Sequence, residues 1–153
     1  MSKTTKYQII STISIVLVAV LGSVFVNIGM EWFNSLAKPS QWISNIIIPI
    51  VWSVIYLLAI ICNIILIKQE KINKTLLTCL ILNGIFNILW CLVFFTLNLT
   101  FIGLITIIIN LILGRFLWIN LQKTEKLLAK ILIIYPIWLS IATTLNLALW
   151  ILN

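Results

Sequence analysis

Five long apolar runs, separated by short polar stretches, make up this chain. After a polar start from Met1 to Gln8, residues 9–28 carry no charge. About 20 such residues, rising about 1.5 Å each, take an α-helix across a ~30 Å hydrocarbon core. Further runs cover 46–67, 75–97, 101–121 and 127–152. Inside lipid every backbone N–H and C=O must be paired within its own segment, so each run predicts a helix. The longest polar stretch, 29–45, follows the first run, which Gly29 and Glu31 are expected to end. Lys38-Pro39 forces an extended or turned step there, because proline disfavours helix in the residue before it. Ser44 or Asn45 is placed to cap the second helix, and Pro49 falls in its first turn, where a missing N–H costs little. The runs at 68–74 (K-Q-E-K-I-N-K) and 122–126 (Q-K-T-E-K) read as short basic loops, and Asn98 to Thr100 as a tight uncharged turn. Pro136, inside the last run, predicts a kink or a freed carbonyl. With no repeat and no linker, residues 1–153 read as one domain: an all-α membrane protein, a bundle of five transmembrane helices. The first run is long and lacks a small-residue cleavage site, so it reads as a retained helix.

Composition agrees with lipid as the solvent. The chain is 63% hydrophobic and 8% charged, whereas a soluble domain carries roughly 25% charged residues. A net charge of +7 would suggest nucleic acid for a soluble protein. Here the lysines cluster between apolar runs, where a membrane protein keeps them, so no nucleic-acid partner is expected. An odd number of spans puts the two ends on opposite sides. With the N-terminus inside, the inner side holds Lys3, Lys6, Lys68, Lys71, Lys74, Lys123, Lys126 and Lys130, and the outer side only Lys38. The positive-inside rule therefore predicts N-in and C-out, with the 29–45 loop outside. Arg115, within the fourth run, either snorkels to the headgroups or faces a bound anion. Glu31, Glu70 and Glu125 are the only acids and there is no Asp or His, which leaves no metal-ligand set and no acid–base pair. Cys62, Cys79 and Cys91 sit inside apolar runs and read as small packed hydrophobes.

Polar and aromatic residues inside the spans recur at helical spacing. Pro49, Trp52, Tyr56, Ala59 and Asn63 share one face of the second span. Asn83, Asn87, Trp90 and Phe94 do so in the third, and Trp138, Ala142, Leu145 and Asn146 in the fifth. Helix–helix packing accounts for the small residues Gly84, Gly103, Gly114 and Ala142. Trp52, Trp90 and Trp138 are better explained by a pocket, since tryptophan in a membrane protein otherwise prefers the interface, where Trp118 and Trp150 are expected to anchor. An apolar, Trp-rich cavity with a few amides suits a large, flat, mostly apolar ligand.

Four stretches in order carry a family resemblance: W-F-x-x-L-x-K-P-S at 32–40, P-x-x-W-x-x-x-Y at 49–56, L-N-x-x-F-N-x-x-W at 82–90 followed by Phe94-Phe95, and Y-P-x-W-L-x-x-A-T-T-L-N at 135–146. The chain resembles the translocator protein / tryptophan-rich sensory protein (TspO/MBR) family, once called peripheral benzodiazepine receptors. The resemblance implies a five-helix bundle, commonly a homodimer, that binds tetrapyrroles such as protoporphyrin IX and other flat hydrophobic molecules. Carried over by motif, the pocket lining would be Trp32 and Phe33 from the loop, Trp52 from span two, Asn87 and Trp90 from span three, and Trp138, Ala142 and Leu145 from span five. Tyr56 and Phe94 join that set from the shared faces. The family pattern often continues the Lys-Pro-Ser corner with Trp and two prolines; here Trp42 comes one place late and the proline pair is missing. No basic residue follows Tyr135, so the sterol-type motif is absent.

Three functions compete at this level: a carrier, sensor or scavenger of tetrapyrroles that needs no cofactor; a light-dependent porphyrin-degrading activity driven by indole redox; and a proton- or ion-coupled transporter. The last usually buries an ionisable group at the midplane, and only Arg115 offers one.

Overall fold

A computed structural model describes residues 3–40 and 42–153, helical almost throughout. Met1, Ser2 and Gln41 lie outside it, as does the side chain of Lys3, one of the lysines counted above. The elements are α1 (Lys3–Ser35), α2 (Ile47–Lys68), α3 (Lys74–Trp90) with a π-helical turn (Cys91–Thr96), α4 (Thr100–Thr124), α5 (Lys126–Ile131) and α6 (Ile134–Leu152). They make five stretches long and apolar enough to cross a membrane, α3 with its π-helical turn being one and α5–α6 another. The exposed surface is Ile, Leu, Val and Phe along every span, the inverse of a water-soluble helix bundle.

The spans form a ring in which α1 packs on α3, α3 on α4 and α4 on α6. α2 closes the ring between α1 and α6 and is the least tightly packed span. Glycine sets three of the close crossings. A Cβ at Gly84 would meet Val18, one at Gly103 would meet Phe94, and one at Gly114 would meet Leu139, each nearer than 3.0 Å. Small residues allow this approach, which lipid-solvated helices use in place of a hydrophobic drive.

The first helix does not stop at Gly29 or Glu31 but runs on to Ser35. Gly29 is a crossing point instead: with no Cβ it lets α1 lie against the backbone of Phe95. The added turns place Trp32 and Phe33 on a helix rather than in a loop, and shorten the connection to 36–46. Lys38 ends α1. Its ammonium donates to the carbonyl of Phe33 at 2.8 Å and lies 4.8 Å from the Phe33 ring centre. A cation is favourable among the unpaired carbonyls of a helix C-terminus; burial lowers the Lys38 pKa. Ser44 and Asn45 do not cap α2: Ile46 holds the cap position, without a side-chain bond. Asn45 ties the loop together, accepting from Trp42 Nε1 at 3.0 Å and donating to Asn34 Oδ1 at 3.1 Å. From the far end of the chain, Asn153 pairs with the backbone of Ala37 in both directions, Ala37 N to Oδ1 at 2.9 Å and Nδ2 to Ala37 O at 3.1 Å.

Pro136 acts as its chemistry requires. It has no N–H for the Leu132 carbonyl, which accepts from Tyr135 N at 3.1 Å instead, and the span breaks into α5 and α6 at this point. At the same end of the bundle Lys71 pairs with Glu125, joining the 69–73 loop to the α4–α5 turn. The Lys71 hydrogen bond is the main reason the Glu125 carboxyl is held below its usual pKa. The charged groups Lys68, Lys71, Lys74, Lys123 and Lys126 all belong to this end, by the antiparallel order of the spans.

Candidate functional site

An aromatic cluster fills the half of the bundle nearest the 36–46 loop. Its buried centre is Phe33, Trp90, Phe94 and Phe95, with Leu104, Ile107 and Ala142 behind. The π-helical turn builds it. Trp90, Cys91, Phe94 and Phe95 are spaced i, i+1, i+4 and i+5, which an α-helix spreads over about 140°, and the wider turn narrows that arc. With an extra residue in the turn, Trp90, Cys91, Phe94 and Phe95 are all at most 5% exposed. Inserted turns of this kind are frequent at functional sites. Phe94 and Phe95 meet edge to face with centroids 4.9 Å apart, and Phe33 touches both.

A cavity of about 290 Å³ lies beside this cluster, between α1, α2 and α3. One wall is indole: Trp52 and Trp90 stand with ring centres 5.9 Å apart, tilted by 33°, and Tyr56 stacks on Trp52 at 5.8 Å. Trp90 is fixed by donating Nε1–H to Asn146 Oδ1 at 3.1 Å, a buried bond from α3 to α6. Gly22 on α1 faces this wall, where a Cβ would lie 3.5 Å from Cys91 Sγ and 3.6 Å from the Tyr56 hydroxyl. Ser23, Asn27, Asn45, Pro49 and Ser53 line the cavity and are exposed, so it opens sideways between α1 and α2 through a polar mouth.

Of the residues singled out by sequence, Phe33, Trp52, Tyr56, Asn87 and Trp90 line this cavity together. Trp32, Phe94 and Ala142 stand in the packed cluster behind it, Trp32 edge-on to Phe94 at 5.5 Å. Leu145 is half-buried on α6 and lines neither this cavity nor the second one described below. Trp138 also lies apart from both; it is 5% exposed and its indole N–H has no partner. Arg115 is exposed and lines neither cavity. Trp118 is half-buried and donates to the Ala129 carbonyl at 2.8 Å, bracing α4 against α5, whereas Trp150 is exposed and packs on Phe101. Sequence reasoning missed Gly22, Met30, Cys91 and Phe95 as lining residues. Phe95 carried a signal in the Phe-Phe pair, and Gly22 could have been found from Ser23 and Asn27, spaced i, i+4 in the first run; Met30, just past that run, carried none.

A second cavity, about 110 Å³, sits deeper toward the basic end. Tyr56 and Asn87 line both cavities and form the partition, bonded through Tyr56 Oη to Asn87 Oδ1 at 3.4 Å. Next to it runs a buried amide chain: Tyr135 Oη donates to Asn83 Oδ1 at 2.7 Å and Asn83 Nδ2 to Asn110 Oδ1 at 2.7 Å, leaving Asn110 Nδ2 unpartnered.

Five apolar spans around an aromatic cluster with an open cavity define an integral, multi-pass membrane protein and fit a ligand-binding one. A model of the TspO/MBR family matches residues 11–151, and the chain belongs to that family. No individually curated protein matches it.

Proposed function

We propose that the wide cavity binds tetrapyrroles of the protoporphyrin IX kind, and other flat hydrophobic molecules, and that the protein serves as their carrier, sensor or scavenger. The observation that carries this reading is the indole wall, Trp52 with Trp90, beside an exposed mouth at which Asn27 offers an amide. A flat apolar ring gains most against aromatic faces, and its polar edge needs hydrogen-bonding groups at the opening. The 290 Å³ volume is slightly under the roughly 300–1,000 Å³ of enclosed ligand pockets. A macrocycle therefore sits with its carboxylate edge in the mouth, and the loosely packed α2 yields to admit it. No cofactor is needed for this role.

Titration of the folded protein with protoporphyrin IX tests the reading. Saturable quenching of tryptophan fluorescence at micromolar ligand, weakened in Trp52→Phe, is expected; no saturable quenching overturns it. A second reading, light-driven breakdown of the bound porphyrin, rests on the same indoles lying in the wall, where an excited ligand would touch them. Loss of the Soret band under illumination that is slower in Trp52→Phe and Trp90→Phe would support it, and equal rates would remove it. The lysine bias puts the basic end in the cytoplasm, with the N-terminus inside and the C-terminus outside. The family resemblance adds a homodimer, which sedimentation in detergent would detect.

A further inference from the structure

The narrow cavity behind the partition differs in kind from the wide one. Among the described residues none that lines it is exposed and all five spans contribute, although it is no more enclosed than the wide cavity. Most of its polar side chains are already paired inside the protein: Ser11 with the Gln8 carbonyl, Ser14 with that of Ile10, Asn63 with Thr12, Asn83 with Asn110 and Tyr135, and the Asn87 carbonyl with Tyr56. What remains to face the space is aliphatic, including Ile15, Val18, Ala59, Leu77 and Leu80. A cavity of this size with so little free polar surface favours apolar matter over water. It is also elongated, running beside α2 from Tyr56 to Leu66, roughly 15 Å at the helical rise. The Tyr56 ring stands between it and the wide cavity, held by one long hydrogen bond. The mouth of the wide cavity lies on the side away from this partition, because Asn45, Pro49 and Ser53 precede Tyr56 along α2 while Ala59, Cys62 and Leu66 follow it.

We propose that the narrow cavity receives a slender alkyl or isoprenoid tail, which enters past Tyr56 from the wide cavity. The preferred ligand is then a flat macrocycle with a polar edge at the mouth and a single apolar tail on the opposite edge. This rests on the reading of the wide cavity as a tetrapyrrole site and specifies the class of tetrapyrrole. Shape decides between tail and ring: a 110 Å³ space drawn out along several helical turns is too thin for a second ring and suits a chain. The walls that must give are the Tyr56 ring and α2, the span with the fewest neighbours.

The test compares protohaem with its farnesyl-bearing analogue, haem o, whose tail lies opposite the propionates. Affinities are measured by haem absorbance and tryptophan quenching in the same detergent. Ala59 lines only the narrow cavity, and Ala59→Phe fills it. The parent is expected to bind the farnesyl compound at least about tenfold more tightly, the equivalent of burying about two methylenes. Ala59→Phe is expected to abolish that advantage and leave protohaem affinity unchanged. Ser14→Leu, which fills the space from α1, gives the same comparison should Ala59→Phe fail to fold. Equal affinities in the parent, or an advantage that survives in the filled variants, overturn the tail site while leaving the ring site standing. Failure of the parent to bind either compound overturns both.

Discussion

A single methyl group at Gly29 should harm this protein more than one at any other glycine facing the site. A Cβ there would lie 1.9 Å from the Phe95 carbonyl oxygen, 2.3 Å from its carbon and 2.8 Å from Phe95 Cα. These are backbone atoms and have no rotamer to retreat to. Ordinary contact begins near 3.4 Å, so α1 and the π-helical turn would have to part by the difference, about 1.5 Å. Parting them pulls Phe33 from Phe94 and Phe95 and stretches the Thr96 Oγ1 to Phe25 O bond, now 3.0 Å. Overpacking of a rigid contact costs up to about 3 kcal/mol, and the better helix propensity of alanine returns about 1 kcal/mol. The net, about 2 kcal/mol, lowers Tm by roughly 4–8 °C for a chain of this length. Gly22→Ala is the control. Its Cβ meets Cys91 and Tyr56 at ordinary contact distance, so stability should hold or rise by about 0.5 kcal/mol. That methyl instead enters the wide cavity, so protoporphyrin IX should bind about threefold more weakly, the effect of losing roughly one methylene of contact. Thermal unfolding followed by circular dichroism in one detergent reads the stability of both variants. A Gly29→Ala protein that melts with the parent, or two glycine variants that lose alike, would refute the argument from backbone approach.

Asn83→Leu removes the middle of the Tyr135–Asn83–Asn110 chain and strands two buried polar groups, so it should cost about 1–3 kcal/mol, read as a lower Tm. Trp90→Phe loses the bond to Asn146 and one indole of the wall, with about 1 kcal/mol of stability lost and weaker porphyrin quenching. Lys38→Met keeps the stem but uncaps α1; hydrogen exchange of the amides at 32–35 should speed up several-fold, in line with roughly 0.5–1 kcal/mol for a cation at a helix C-terminus. The Glu125 pKa is depressed in the folded state, so the stability it contributes is complete above the unfolded carboxylate value near 4.5 and fades as pH falls through the lower folded value. An acid titration of Tm should show a drop below that point which Glu125→Gln lacks.

Much of this architecture was legible because lipid leaves the chain few options. A charge-free run of the right length has to be helical, and five such runs fold into five spans. Pro136 announced its kink through a missing N–H, and the Trp52 and Trp90 faces announced themselves by period. The misreadings share one cause: a residue was taken for its local propensity when a distant contact decided its role. Gly29 read as a helix stop because nothing in its neighbourhood reveals Phe95 lying across it. Asn45 read as a cap, but Asn34 and Trp42 had the stronger claim on its amide. The π-helical turn has no sequence period of its own, so the place where the helix widens could not be foreseen from spacing. Trp138 shares a helical stripe with Ala142 and Asn146, yet a stripe fixes only a direction, and the wide cavity ends short of it.

The two-point pairing of Asn153 with Ala37 decides how the loop is held. It rivets the start of the connection to the last turn of α6, while Asn45 and Trp42 hold its far half to α1 through Asn34 and Phe33. A strap stitched at both halves to the first and last spans meets α2 only at its very end, where Ile47 N donates to the Ser44 carbonyl. Cutting the Asn153 amide, as in Asn153→Ala, would free the Ala37 edge and leave the Asn34–Asn45 stitch as the remaining fastening.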